Sequence, residues 1–121
     1  MITPSPFLAK PERWLLEGEY AFVFDNEYPV LRGHTLVVPK REVESMFDIN
    51  EKEWLEIKGL TENYICSVKA VGFNFALNAG AVAGQSVAHV HFHIFPHFEP
   101  HHAMLKGGYA NAFGHLPSYC R

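Results

Sequence analysis

Apolar and polar positions change period several times along this chain, and each change marks an element. Aromatic and branched residues cluster on either side of Gly18, which predicts two extended runs, Arg13 to Leu16 and Glu19 to Asp25, joined as a hairpin. Asn26, Pro29 and Gly33 then supply turn chemistry, and "HTLVVPK" follows as a third strand closed by Pro39. A short helical piece fits between Arg41 and Phe47. From Asn50 the period lengthens: Trp54, Ile57, Leu60, Tyr64, Ile65 and Val68 form one apolar face, with Glu51, Lys52, Glu56 and Lys58 turned to solvent. Asn50, three residues before Glu53, predicts a capping box at the start of this helix. Gly59 inside it costs about 1 kcal/mol relative to alanine, which points to something packed closely there. After Gly72 the alternation returns in "FNFALN", the small residues of "AGAVAGQS" make a loop, and "VAHVHFHIFP" is the last strand.

One long helix and about five strands with short connections predict an α+β domain built on an antiparallel sheet. At 121 residues and 48% hydrophobic content, the chain suits a single domain over 1–121 with one core. Residues 98–121, rich in His, Gly and aromatics, lack periodicity and read as an irregular C-terminal tail. A formal charge of -3 with no Lys/Arg run leaves no basic footprint for a nucleic acid polymer. No apolar run approaches about 18 residues and "MITPSPFLAKPERW" has no apolar h-region, so neither a membrane span nor a signal peptide is expected and the cytoplasm is the expected location. Cys66 and Cys120 form no CxxC pair and read as reduced thiols.

The sharpest chemical signal is "HVHFHIFPH", residues 89–97. In a strand, His89, His91 and His93 share one face while Val90, Phe92 and Ile94 take the other, so an apolar face goes to the core and a row of imidazoles is left opposite. Six of the eight histidines fall between 89 and 102, which argues against chance polar positions. A metal site is one reading, but the outer two histidines stand roughly 13 Å apart and cannot share a coordination sphere, so a third ligand such as His34 would be needed. The other reading is phosphate handling: the central imidazole attacks phosphorus while its neighbours hold the charged oxygens. The preceding "NAGAVAGQS" favours this second reading, because Gly80 and Gly84 let backbone approach a ligand and Gln85 and Ser86 add donors.

These residues resemble the histidine triad (HIT) family, whose His-φ-His-φ-His-φ-φ signature, with φ apolar, is matched by "HVHFHIF" from His89 to Phe95. "GHTLVVPK" from Gly33, "LNAG" from Leu77 and "GQSVAHVHFH" from Gly84 are similar to further family segments, and the resemblance covers residues 5 to 97. It implies a nucleotidyl hydrolase or transferase acting at the α-phosphate of adenine nucleotides through a covalent nucleotidyl-histidine. By that matching His91 is the nucleophile, His89 and His93 flank it near the phosphate, and His34 supports His91. Gln85 and Ser86 would lie by the phosphate and leaving group, Asn78 nearby, Asn26 at the ribose, and Phe24 and Leu36 around the base, where burial in the core is an equal account of the last two. Phe7 lies in a looser register and is not assigned. Dinucleoside polyphosphates such as diadenosine tetraphosphate are the first substrate class implied, AMP phosphoramidates the alternative; a nucleotide-binding module without turnover and a histidine metalloprotein are the competing readings. The protein itself would require no cofactor and hold no metal, Mg2+ entering only with a polyphosphate substrate. A homodimer across the long helix and an edge strand is implied as well, with Gly59 and Trp54 permitting close approach. His97, His101, His102 and His115 lie outside the signature and receive no role.

Overall fold

The computed structural model describes residues 5–98. Strands β1 (Trp14–Glu17), β2 (Ala21–Asp25) and β3 (Thr35–Pro39) are followed by helix α1 (Glu51–Ser67), then β4 (Gly72–Leu77) and β5 (Phe92–His97). They form one antiparallel sheet in the order β1-β2-β3-β5-β4. The expected α+β architecture is therefore observed, with the last strand inserted between β3 and β4. The helical piece expected between Arg41 and Phe47 is a single 3-10 turn, Met46–Asp48, capped by the Ser45 side chain, which accepts from the Phe47 N–H. The tail from Glu99 onward, with His101, His102, His115 and Cys120, lies outside the described residues.

Strand alternation divides the sheet into two faces. Ala21, Val23, Val37, Phe92 and Ile94 point to α1, where they pack in one core with Ile57, Leu60, Tyr64 and Ile65. Phe22, Phe24, Leu36 and Val38 point the other way and form a second cluster with Phe7. Trp14 covers that cluster, its ring stacked on Phe22 at 3.9 Å between centroids. One row of paired residues crosses the whole sheet on this second face: Trp14, Phe24, Leu36, His93, Ala76.

Helix α1 starts as its sequence dictates. Asn50 Oδ1 accepts from the Glu53 N–H at 2.9 Å and Glu53 Oε1 accepts from the Asn50 N–H at 2.9 Å, completing the capping box. Glu53 is only 3% exposed, and Arg41 Nε and Nη2 donate to its two oxygens at 3.0 and 2.8 Å. The guanidinium holds this carboxyl below the ordinary range, and it keeps the β3–α1 connection closed over the helix N-terminus.

Two expectations for the helix surface are corrected. Glu56 is half-buried rather than simply turned to solvent: its carboxylate accepts from the backbone N–H groups of Glu19, Tyr20 and Ala21, at 2.8 Å from Glu19 and 2.5 Å from Ala21. Three amides converging at the β1–β2 turn make a small anion nest, and the helix supplies its anion. Gly18 is glycine for the same reason, since a Cβ there would collide with the Glu56 carboxylate. Gly59, by contrast, has nothing within 4 Å of a Cβ built on it, so packing within the chain does not require it.

Among the described residues, β1 and β4 are the two edges of the sheet. Between β4 and α1 runs an apolar groove of about 430 Å³, lined by Trp54, Ile57, Ile65, Cys66, Phe73 and Phe75. Cys66 is disulfide-bonded rather than a reduced thiol. Among the described residues no helix is long and apolar enough to cross a membrane.

Candidate active site

The histidine row begins before its strand does. β3 and β5 pair only over Thr35–Val37 and Phe92–Ile94. Upstream of Phe92 the chain turns to the β3–α1 connection instead, where the Val90 N–H donates to the Val43 carbonyl at 2.8 Å. His93 is thus the only triad member within the strand, and His89 and His91 precede it. Their rings still project to the face opposite α1, but not into open solvent: His89 is 4% and His91 6% exposed.

Phe7 accounts for that burial. Its ring lies 5.0 Å from His91, 5.8 Å from His89 and 5.2 Å from Phe24, centroid to centroid. The segment carrying it is tied down at several points: Trp14 Nε1–H donates to the Phe7 carbonyl at 2.9 Å, and the Ser5 N–H donates to Glu42 Oε1 at 2.5 Å. "SPFLAKP" has no periodicity, so its contact with the triad depends on tertiary placement that local pattern does not encode.

Each imidazole has a distinct set of partners. His91 Nδ1–H donates to the carbonyl of His89 at 2.9 Å; a carbonyl can only accept, so the proton is on Nδ1 and Nε2 carries a free lone pair. His89 Nε2–H donates to the Pro39 carbonyl at 2.7 Å, leaving its buried Nδ1 without a partner among the described residues. His34 and His93 meet through His34 Nε2 and His93 Nδ1 at 3.0 Å, and the Val30 N–H donates to His34 Nδ1 at 3.1 Å. Burial pushes the pKa values of His34, His89 and His91 below the ordinary value of 6.5. For His93, burial and then the neighbouring His91 and His34 lower it to about 4. All four rings are therefore neutral at pH 7.

His34 supports His93, not His91. Thr35 is paired with Ile94, so in register His34 faces Phe95 and lies diagonal to His93, two residues beyond the reach of its ring to His91. The Phe95 ring accordingly stacks on His34 at 4.2 Å and runs parallel to His93 at 5.7 Å. Tyr64 from α1 fixes the start of β3 by donating its hydroxyl to the Gly33 carbonyl at 2.6 Å. Gly33 has φ +83° and Pro96 lies 2.8 Å from where a Cβ would be, so this close turn excludes other residues.

The remaining expected residues divide into two groups. Phe24 and Leu36 lie in the sheet row that contains His93, at 3% and 4% exposure, so they are core residues that also line the triad face. Asn26 is beside His34: its Oδ1 accepts from the Tyr28 N–H at 3.0 Å, and its Nδ2 is 3.2 and 3.3 Å from the two ring nitrogens of His34. Near-equal distances put that amide over the ring face rather than at one nitrogen. Gln85 is turned into its own loop, where its Oε1 accepts from the Gly80 N–H at 2.8 Å and its Nε2 donates to the carbonyls of Val87 and Ala88 at 3.0 and 3.1 Å. Asn78 sits against Gly84, and Ser86 is exposed next to the triad segment. His97 is buried outside the site, its Nε2–H donating to Asn74 Oδ1 at 2.6 Å.

Comparison with known proteins shows the family. Residues 8–100 match the family described as HIT domain, and the chain belongs to that family. A bis(5'-adenosyl)-triphosphatase of Dictyostelium discoideum is 38% identical over 97 residues, covering 76% of this chain and 64% of that protein. An adenosine 5'-monophosphoramidase of Saccharomyces cerevisiae is 28% identical over 97 residues, covering 80% and 61%. The crystal structure of a HIT family protein from Bacillus anthracis superposes with a TM-score of 0.68 at 27% identity, covering 79% of this chain and 77% of that one. The chain spans 60 to 64% of the length of several of the curated relatives it matches.

Proposed function

We propose that the protein is a nucleotidyl hydrolase or transferase in which His91 Nε2 attacks the α-phosphorus of an adenine nucleotide. The observation that carries this reading is the hydrogen bond from His91 Nδ1 to the His89 carbonyl, which leaves the opposite nitrogen unprotonated and aimed away from the backbone. As the Nε2–P bond forms, the bond from phosphorus to the leaving group breaks and its electron pair departs with that group. Because Nδ1 keeps its proton, the intermediate is a positively charged nucleotidyl-imidazolium, which water cleaves to release the mononucleotide and regenerate neutral His91. His89, His93, Asn78 and the exposed Ser86 would border the phosphate and leaving group, and Phe24, Leu36 and Asn26 the nucleoside. Gln85 would act by holding the loop rather than by touching substrate.

The preferred substrates are dinucleoside polyphosphates, with AMP phosphoramidates the second reading; the names of the Dictyostelium and yeast relatives support one each. The protein needs no metal of its own for this chemistry, and Mg2+ would arrive with a polyphosphate. We place the reaction in the cytoplasm. The apolar groove between α1 and β4, with Phe75 41% exposed, would suit a homodimer contact.

AMP release from diadenosine tetraphosphate and from an AMP phosphoramidate, measured in parallel by chromatography with and without chelator, tests the reading. Release from either substrate supports it and the ratio identifies the branch; a folded protein that binds AMP and turns over neither would be a binding module. The burial of His91 also sets the pH profile. His91 must be neutral to attack and burial depresses its pKa, so the acid limb of kcat/KM for the faster substrate is expected to be centred below pH 6.5. An acid limb centred above pH 7 would contradict this assignment.

A further inference from the structure

We infer that the backbone N–H of Val30, in the loop between β2 and β3, is a positioning group for the site: it fixes both His34 and His93 as neutral imidazoles protonated on Nε2. The argument is one of donors and acceptors. The Val30 N–H can only donate, so His34 Nδ1 must present a lone pair to it across 3.1 Å. A neutral imidazole then has its single proton on Nε2, and that proton points at His93 Nδ1, 3.0 Å away. His93 Nδ1 must in turn be a lone pair, which leaves the His93 proton on Nε2. Reversing the His34–His93 bond would require His34 to accept at both nitrogens, which only an imidazolate can do. Protonating either ring to an imidazolium would set two N–H groups against each other.

The surroundings of the pair give an imidazolium no support. His34 is faced by the Asn26 amide, the Val30 N–H, His93 and the Phe95 ring; His93 is faced by His34, His91 and Phe95. Among the described residues no carboxylate is hydrogen-bonded to either ring. One amide therefore sets the protonation of two histidines, the second of them in the triad. On the functional reading above, His93 offers the reacting phosphate a hydrogen-bond donor but is never the acid that protonates a leaving group, so an amine leaving group must draw its proton through another group, such as the Ser86 hydroxyl, or from water.

The test reads tautomers directly. In ¹⁵N-histidine-labelled protein, two-bond ¹H–¹⁵N spectra distinguish Nδ1–H, Nε2–H and doubly protonated rings, with assignments from His34→Gln and His93→Gln. Both rings are expected as Nε2–H at pH 7 and still so at pH 5.5. Replacing Val30 by its α-hydroxy acid, which deletes only the N–H, is expected to raise the titration midpoint of the pair by about one pH unit, about the effect of one lost hydrogen bond. Val30→Ala, which keeps the N–H, is expected to leave the spectrum unchanged and controls for the side chain. A wild-type His34 protonated on Nδ1, or an ester variant that titrates like wild type, overturns the inference. If the tautomers are as stated but neither nucleotide substrate is turned over, the functional reading fails and the assignment of Val30 stands.

Discussion

Replacing His91 by alanine is expected to slow AMP release by a factor on the order of 10⁵ to 10⁶ while AMP still binds within about tenfold of wild type. The size follows from what is removed. If the reaction passes through a nucleotidyl-histidine, neither neighbour is placed to substitute: His93 gives Nδ1 to His34 and carries its proton on Nε2, and the unprotonated Nδ1 of His89 is buried. The sheet row of Phe24 and Leu36 and the loop built on Gln85 do not depend on the His91 ring, so binding persists. Turnover by chromatography, AMP affinity by calorimetry and the mass of an acid- or base-quenched reaction check the three parts together. Wild type should gain one nucleotidyl group and the variant none. Near-normal turnover by the variant would place the nucleophile elsewhere.

Phe92→Ala should be the most damaging single truncation of the core. Phe92 is 2% exposed, stacks on Phe75 with ring centroids 5.1 Å apart, and meets Trp54 of α1 at 5.2 Å. It is also paired with Val37 on one side and Leu77 on the other, so its ring joins β3, β4, β5 and the helix. Deleting a ring from such a site costs about 3–5 kcal/mol. For a domain of this size that is a fall in Tm of roughly 10–20 °C. Urea unfolding followed by tryptophan fluorescence, with Trp54 beside the cavity, measures it. A loss below about 1.5 kcal/mol would show that the helix closes over the gap.

What could be read in the sequence was whatever neighbours along the chain determine. The period-two histidines, the Asn50 and Glu53 box and the turn at Gly33 are local, and the structure contains each of them. Phe24, Leu36 and His34 are assigned to the site by the family resemblance, because β2 and β3 are buried on both faces and their pattern does not tell the faces apart. What escaped depends on contacts between distant segments. Glu56 looks like a solvent-facing helix residue until the β1–β2 turn, 35 to 37 residues earlier, brings three amides to it. Phe7 joins the triad across more than 80 positions of chain, and the pairing of His34 with His93 rather than His91 follows from strand register that composition does not specify. The Val30 contribution is invisible for a different reason: it comes from a backbone amide, and any residue but proline would carry it.

The insertion of β5 between β3 and β4 bears on how the chain is made. By the time Ser67 has left the ribosome, the β1–β2–β3 meander and its helix can form, yet the inner edge of β3 still lacks its neighbour. That edge stays unpaired until Phe92–Ile94 emerge, more than fifty residues after Val37. Vectorial synthesis at about 5–20 residues per second leaves the gap open for seconds. The strand that closes it also delivers His93, so protection of this aggregation-prone edge and completion of the histidine site occur in one event. A nascent chain stalled before β5 would expose the edge and could show none of the chemistry.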